Sequence, residues 1–319
     1  MLGHDRQRGG VMIAIDLPAM NGRKALGFLA AVGLTRLLTT DDPDGSDPPR
    51  LSWKPSTRTA VLHSRHDSIG TVVETLTRIV TAIPDDAVLP GGPPGLPPPG
   101  AAPDKLRVPP AVLRTLASEL SLHTNAEAEA WMASLVTDLC LDDKGRSVIS
   151  LMAAPSGKQS MFTMLDKPLT LVRDHPEYLR EALVGWRRHP GVTGEYLDHQ
   201  VLYDAADSGV GTAEERGVPG ATWLAVMAYP LLRTTSAGAD PVTTGWHCRA
   251  GQWEFVYPLW SHPLDTNAIV ALLEHPLWSA SVDGNMPAEA RTLSVFEVGR
   301  AQRRRIPGRK FAGVLGPLR

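Results

Sequence analysis

The sequence predicts an α+β fold, in which short antiparallel strands and helices surround one helix rich in glycine and alanine. Segments typical of strands and of helices do not alternate regularly along the chain, which argues against a doubly wound parallel sheet. Short apolar runs flank tight turns, as they do in antiparallel hairpins. The chain has 319 residues and is 43% hydrophobic, so it can bury a sizeable core as one large domain or two small ones.

The N-terminal part, residues 1–83, is predicted to contain two helices and several strands. A buried strand is expected at residues 11–15, and a helix then runs from Asn21, as the N-cap, to about Leu38. Small side chains keep this helix thin, so another backbone can approach it and we expect it at the centre of the fold. These small residues are Gly27, Ala30, Ala31 and Gly33. Paired strands and a second helix are expected at residues 51–54, 59–63 and 68–82.

Residues 84–110 form the main break in composition, with ten prolines. This content excludes helix and paired strand, and it predicts a flexible surface loop. Docking of a proline motif to a partner is the alternative. The loop separates the N-terminal part from a C-terminal α+β part, residues 111–319, and we expect the two parts to form one compact unit.

The C-terminal part is predicted to contain helices, a hairpin and a late strand before a basic end. The expected helices cover residues 110–122, 125–139, 177–187, 221–232 and 265–274. Residues 161–172 fit either helix or strand. The hairpin joins residues 243–247 to 253–257 through a turn at 249–252, and the late strand covers 293–298.

Aromatic side chains crowd into residues 223–278. Six of them are Trp223, Trp246, Trp253, Tyr257, Trp260 and Trp278. Such side chains can stack on nucleic-acid bases, but their spacing along a hairpin and a helix favours positions in the core.

Positive charge is concentrated at the C-terminal end of a chain whose formal net charge is only −2. Residues 300–319 carry seven basic residues and no acidic one, while the other 299 residues contain 25 basic and 34 acidic ones, a charge of −9. The net charge excludes a uniformly basic nucleic-acid coat. A cationic end on an anionic body predicts a contact with phosphates or with an acidic partner. An idle basic tail, or salt bridges to the acidic body, is the alternative.

Most of the residues expected to contact phosphate are arginines, which can bind phosphate oxygens through two parallel hydrogen bonds. They are Arg300, Arg303, Arg304, Arg305, Arg309 and Lys310. Arg146, in a polar turn, and Lys158, beside a glycine, are weaker candidates. Apolar residues interleave with the terminal charges and favour a folded segment over a disordered tail.

An enzymatic alternative rests on His63, His66 and Asp67. Their spacing could supply three ligands to the metal ion of a nuclease or phosphohydrolase. A lone pair of histidines is more often structural, and Asp67 also suits the N-cap of the helix that follows it. Residues 156–160 lack the first glycine and the hydroxyl of a phosphate-binding loop, and no GxSxG nucleophile motif is present. No catalytic residue, metal or other cofactor is therefore assigned.

Cysteine usage and the chain ends predict a cytoplasmic protein. Two cysteines, Cys140 and Cys248, give neither a disulfide framework nor a CxxC pair for zinc. Residues 1–8 are polar, the apolar run 11–15 is too short for a signal peptide, and no run approaches the ~18 residues of a membrane span. We expect no contact with a membrane.

Several motifs are spread in order over most of the chain. They are Pro18-x-x-Asn21-Gly22, the run from Leu26 to Leu38 (LGFLAAVGLTRLL), Leu51-Ser52-Trp53, Val61-Leu62-His63, Ala221-x-Trp223-Leu224-Ala225, Pro230-Leu231, Thr243-Thr244-Gly245-Trp246, Phe255-x-Tyr257-Pro258-Leu259-Trp260-x-x-Pro263-Leu264, Val295-Phe296 and Arg305-Ile306-x-Gly308-Arg309-Lys310-Phe311. As an ordered set they resemble accessory proteins of type I-G (formerly I-U) CRISPR systems, where a similar helix follows the first strand. The likeness does not include residues 141–219.

The resemblance implies a non-catalytic subunit of a Cascade-like, RNA-guided antiviral surveillance complex. Such a subunit would contact guide RNA or target DNA and other effector subunits, and it would have no small-molecule substrate. The basic segment coincides with the last motif of the likeness, so its arginines are expected to hold a polyanionic strand.

Overall fold

The computed structural model describes residues 12–41, 47–122, 126–153, 159–201, 214–280, 286–305 and 313–318. Within these residues, helices combine with antiparallel strands in small separate sheets, which confirms the predicted α+β class. The three-stranded sheet comes from residues 13–64 and the four-stranded sheet from residues 246–317. One long helix, residues 25–40, packs against strands of both sheets.

Two sheets carry most of the strand pairing. Strands β1 (Ile13–Asn21), β2 (Arg50–Trp53) and β3 (Thr59–Ser64) form an antiparallel sheet in the order β1-β3-β2. Further strands form antiparallel pairs: β4 (Val136–Leu141) with β5 (Ser147–Ile149), β6 (His189–Pro190) with β7 (Arg216–Gly217), and β8 (Thr234–Ala237) with β9 (Asp240–Thr243). The C-terminal sheet consists of β10 (Trp246–Arg249), β11 (Gln252–Trp260), β12 (Val295–Arg305) and β13 (Gly313–Pro317), in chain order.

The hairpin of β10 and β11 forms close to its predicted position. Its two turn residues, Ala250 and Gly251, both have positive φ angles, 47° and 76°. This turn geometry matches the right-handed twist of the paired strands, which explains how a two-residue connection suffices here.

The described helices are α1 (Ala25–Thr40), α2 (Ile69–Ala82), α3 (Pro110–Leu122), α4 (Ala126–Leu135), α5 (Met161–Asp174), α6 (Glu177–Val184), α7 (Pro219–Val226), α8 (Thr266–Leu273) and α9 (Leu277–Ala280). Residues 161–172, which fit helix or strand by sequence, lie in α5. Ser160 begins this helix with a capping box, in which its side chain and that of Thr163 bond to each other's backbone N–H groups.

Helix α1 is the centre of the core, as its small residues predict. Every residue from Ala25 to Leu38 is buried. The helix crosses α7 so closely that a Cβ atom placed on Gly33 would lie 1.8 Å from the carbonyl oxygen of Leu224. No side chain fits between the two backbones at this point, so the crossing requires glycine.

The start of α1 differs from the prediction. Asn21 ends β1 and does not cap the helix, which begins at Ala25 after Lys24. The Oδ1 atom of Asn21 accepts a hydrogen bond from the backbone N–H of Arg23 at 2.9 Å. This side chain therefore stabilises the turn between strand and helix, a common role of asparagine that competes with capping.

The single helix predicted over residues 125–139 is wrong in its last four residues. Helix α4 ends at Leu135, and the next six residues form β4. Val136 and Thr137 are β-branched, and they pair with β5. Leu139, which lies in β4, is 67% exposed.

The proline-rich segment packs on the core and does not lie free on the surface. Residues 84–109 contain no helix or strand, as their composition predicts. Yet Leu89, Leu96 and Leu106 are almost completely buried. These three leucines fix the segment in place, because each would lose apolar burial on leaving the core.

The clustered aromatic residues lie in the core, which confirms that interpretation. Trp223, Trp246, Tyr257, Trp260 and Trp278 are buried, and Trp253 is partly buried. Phe28 of α1 stacks on Tyr257 with ring centroids 4.4 Å apart. The indole N–H of Trp260 donates to the carbonyl oxygen of Leu51 at 2.7 Å, so the aromatic cluster joins both large sheets to α1.

Candidate nucleic-acid interface

Strand β12 carries four of the basic residues that the sequence singles out, and its first arginine pairs within the sheet. The guanidinium of Arg300 donates to one carboxylate oxygen of Glu254, from Nη2 at 2.6 Å and from Nε at 3.0 Å. Glu254 lies on the neighbouring strand β11. The charge of Arg300 is thus directed at the body of the protein, as the salt-bridge alternative describes.

Arg303 points inward and holds three segments together. Its guanidinium donates to the carbonyl oxygens of Met152 (2.6 Å), Tyr196 (3.0 Å) and Gly313 (3.2 Å). Burial lowers the pKa of Arg303 to about 10, so the group stays charged at neutral pH. Its contacts give it a structural role in positioning the chain around Tyr196.

Arg304 is the described arginine of β12 that reaches the surface. It is exposed, and its Nη2 atom donates to the carbonyl oxygen of Pro317 at 2.6 Å. A Cβ atom on Gly316 would lie 3.1 Å from Cδ of Arg304 and 3.6 Å from Cβ of His199. Glycine at this position therefore lets Arg304 and His199 lie side by side over the backbone of β13.

Further cations lie next to His199. The Nζ atom of Lys24 and the Nη2 atom of Arg188 both donate to Oε1 of Gln200, at 2.8 and 2.9 Å. The two positive charges therefore share one neutral acceptor. We call Lys24, Arg188, His199 and Arg304 the basic cluster.

The electrostatics of His199 show how close these charges are. Burial lowers the pKa of His199, Asp198 opposes this effect, and the charges of Lys24, Arg304 and Arg188 each lower the pKa further. The buried carboxylate of Asp198 accepts a hydrogen bond from Arg188 at 2.5 Å. Three permanent cations thus act on His199, of which Arg188 is paired with Asp198, and the imidazole favours its neutral form.

An aromatic ring and more exposed arginines border the basic cluster. Lys24 lies over the ring of Trp186, 5.4 Å from its centroid. Arg187 and Arg216 are exposed, and Arg188 donates to the carbonyl oxygen of Arg216 at 3.0 Å. Phosphate contacts from arginine and lysine beside an aromatic ring are typical of surfaces that bind nucleic-acid strands.

The remaining predicted phosphate contacts have different outcomes. Arg146 binds Asp142 through Nε (3.0 Å) and Nη2 (2.7 Å), and this contact holds the pKa of Asp142 down at about 2. Lys158, Arg309, Lys310 and the side chain of Arg305 lie outside the described residues.

Sequence reasoning missed three members of the basic cluster. Lys24, Arg188 and His199 stand far apart in the sequence and meet only because the turn before α1, the segment after α6 and strand β12 converge. The sequence Trp186-Arg187-Arg188 is the one local signal, since it combines an aromatic residue with two arginines.

The two histidines of the enzymatic alternative have separate hydrogen-bond partners. Nε2 of His63 bonds with the hydroxyl of Ser52 at 2.9 Å, and Nε2 of His66 bonds with the hydroxyl of Thr75 at 3.0 Å. Burial is the main cause that lowers the pKa of both imidazoles. Both rings are therefore neutral hydrogen-bonding groups near neutral pH.

Asp67 supports the first turn of α2 from one residue further out than predicted. The N-cap is Ser68, which forms a capping box with Thr71, and Asp67 accepts a hydrogen bond from the hydroxyl of Thr71 at 3.0 Å.

Within the described parts of the chain, no group of three or more His, Cys, Asp or Glu side chains is placed to hold a metal ion. The same parts contain no helix with the length and apolar character needed to cross a bilayer.

Comparison with known proteins adds no family. No protein-family model matches the chain, and no curated protein matches it significantly. The function is therefore inferred from the basic cluster and from the ordered motifs of the sequence.

Proposed function

We propose that this protein is a cytoplasmic, non-catalytic nucleic-acid-binding subunit of a Cascade-like, RNA-guided antiviral complex. The observation that carries the proposal is the basic cluster, in which Lys24 and Arg188 share one neutral acceptor close to Arg304. The motifs that resemble type I-G CRISPR accessory proteins supply the assignment to this kind of complex, in which guide RNA or target DNA and other effector subunits are the partners.

The contacts of the basic cluster suit phosphate recognition. Within the part of the chain that the structure describes, Lys24 and Arg304 donate to neutral oxygens, those of Gln200 and Pro317, and not to carboxylates. A phosphate can replace or add to such contacts with charge-assisted hydrogen bonds, which are roughly twice as strong as neutral ones. Arg304 offers a planar fork for two phosphate oxygens and Lys24 a point charge.

The basic cluster is suited to contact the phosphate backbone of a strand and not its base edges. Phosphate contacts fix position and register, whereas sequence is read at base edges. Trp186, which lies under Lys24, offers a ring that any base can stack on. We therefore infer binding that depends on salt and is nearly independent of sequence.

The double substitution Lys24→Gln with Arg304→Gln is expected to weaken nucleic-acid binding about tenfold at low salt, since each exposed charge contact contributes up to about 1 kcal/mol. Fluorescence anisotropy of the purified full chain with labelled single-stranded RNA, single-stranded DNA and duplex DNA measures the effect. Arg303 is left intact in this test because its three carbonyl contacts make it part of the fold.

A matched control removes the same charge elsewhere. Arg114 and Arg233 have side chains that are 73% and 64% exposed, and they pair with Asp138 and Glu274 outside the cluster. Their double replacement by glutamine should leave the affinity within about twofold of wild type, because distant charges are largely screened. Equal losses in both double variants would remove the basic cluster as the site, and wild-type protein that binds none of the three probes would contradict the proposed function.

The wider assignment has its own check in the genome. The gene is expected to lie beside a CRISPR array with effector genes. Two findings together would contradict membership of such a complex: a gene that lies in an unrelated operon, and a protein that associates with no effector subunit. The phosphate site would then be tested by the binding data alone.

A further inference from the structure

A cavity of about 380 Å³ lies between α5, the segment after β6 and the beginning of α7. Its walls include the aliphatic side chains of Leu171, Val192 and Pro219. Its polar wall is formed by Glu195, with Asp166 and Lys167 on the opposite element α5. The cavity is thus mostly apolar with a few converging polar groups, as small-ligand sites are.

The backbone that presents Glu195 has an unusual conformation. Gly194, Glu195 and Tyr196 have φ angles of 55°, 47° and 56°, three successive residues in the left-handed region. Each non-glycine residue there costs about 1–3 kcal/mol, and such strain clusters at ligand sites. The guanidinium of Arg303 holds this turn in place through the carbonyl oxygen of Tyr196.

The carboxyl of Glu195 is almost fully buried, at 2% exposure, and its hydrogen-bond partners are neutral. It accepts from the side-chain amide of Gln159 and from the hydroxyl of Thr193, the latter at 3.2 Å. Within the described residues, no lysine or arginine forms an ion pair with it. A carboxylate can accept about four hydrogen bonds, so acceptor capacity remains.

A second acceptor beside Glu195 is also unused. Oε1 of Gln159 is buried and has no hydrogen-bond partner in the described structure. A buried acceptor without a partner costs about 1–3 kcal/mol. The carboxylate of Glu195 lines the cavity, and its remaining acceptor capacity suits a ligand that supplies donors and a positive charge.

We propose that this cavity binds a small aliphatic amine, whose ammonium group donates to Glu195 while its hydrocarbon chain packs against Leu171 and Val192. An ammonium has three donors and no acceptor, which matches the unfilled acceptor capacity of Glu195. The site is independent of the basic cluster and of the proposed function.

Charges from several elements face Glu195. Asp166 and Lys167 lie on α5, Glu215 precedes β7, and Tyr229 lies in the 3-10 turn after α7, where the charge of Arg303 on β12 also acts on it. Burial raises the pKa of Glu195 to about 7, with Lys167 as the main opposing charge. Below that pH the carboxyl is protonated, so an ammonium ion must displace a proton to bind.

Isothermal titration calorimetry of the full chain with butylamine tests the proposal, with butanol as the neutral probe of the same shape. Butylamine should bind at least about tenfold more tightly than butanol at pH 8, because only the ammonium forms a charge-assisted contact with Glu195. Its affinity should fall about fivefold from pH 7 to pH 6, since protonation competes with the ligand. Titrations at pH 7 in two buffers of different ionisation heat should show the release of about half a proton per bound ligand, because the carboxyl is about half protonated at this pH.

Glu195→Gln should lose at least about tenfold in butylamine affinity and release no proton, while its butanol affinity stays unchanged. Circular dichroism checks that the variant folds. Three results would each overturn the proposal: no butylamine binding to folded wild type, equal affinity for the amine and the alcohol, or equal amine affinity in Glu195→Gln. The proton-release measurement on wild type decides the question alone if the variant does not fold.

Discussion

Gly33→Ala is expected to destabilise the protein by about 3 kcal/mol or more, at or beyond the upper end of the usual cost of overpacking. The added Cβ atom would lie 1.8 Å from the carbonyl oxygen of Leu224 and 2.9 Å from the backbone nitrogen of Ala228. Both obstacles are backbone atoms, so no change of rotamer can relieve the collision. Helices α1 and α7 would have to separate, and apolar contacts along the whole crossing would weaken.

Urea unfolding followed by circular dichroism measures this loss, and Gly70→Ala is the matched control. Gly70 lies in helix α2, where the nearest atom to an added Cβ is the hydroxyl oxygen of Ser68 at 3.4 Å. Alanine favours helix over glycine by about 1 kcal/mol, so the control should be as stable as wild type or more stable. A Gly33→Ala protein that unfolds at the wild-type urea concentration would show that the two helices do not cross as described.

Glu195→Gln is expected to stabilise the protein at pH 8 by up to about 3 kcal/mol. The pKa of the Glu195 carboxyl is raised by burial from 4.5 to about 7. Between these pH values the folded state keeps a proton that the unfolded chain releases, so the free energy of unfolding falls as pH rises through this window. Above pH 7 the unfolding free energy of wild type stays at its lowered value. Because an amide does not ionise, the unfolding free energy of the variant does not fall over this pH window.

The measurement compares urea unfolding of wild type and Glu195→Gln from pH 4.5 to pH 8. The difference in unfolding free energy should grow with pH and level off above about 7. Glu289→Gln serves as the control, because Glu289 is exposed and its removal changes the net charge equally. Curves for wild type and Glu195→Gln that run parallel over the whole range would contradict a buried, proton-binding carboxyl at this position.

The central helix and the hairpins could be predicted because local signals determine them. The small residues of α1 anticipate the contact at Gly33, and turn residues fix the pairing of β10 with β11. The change from α4 to β4 after Leu135 was not predictable from local spacing, because apolar residues three and four positions apart fit a helix. In the folded protein the backbone after Leu135 pairs with strand β5 instead. Tertiary pairing decided this case over local spacing.

The candidate interface was predictable only at Arg304. The charge run on β12 identifies the strand, but it cannot tell which arginine pairs with Glu254, which holds carbonyl oxygens and which reaches the surface. Alternation along the strand and the glycine at position 316 decide this in the folded state. Glu195 carried no sequence signal, because its burial arises from the left-handed turn and from Arg303, 108 positions later.

The salt dependence of nucleic-acid binding tests the central claim most directly. The observed association constant of wild type and of the Lys24→Gln, Arg304→Gln variant is measured with single-stranded RNA between about 50 and 200 mM salt. Because each phosphate contact releases counterions, the slope of log K against log salt concentration should be shallower in the variant by about 1.4, or about 0.7 for each lost contact. Identical slopes for the two proteins would show that the basic cluster does not touch phosphate.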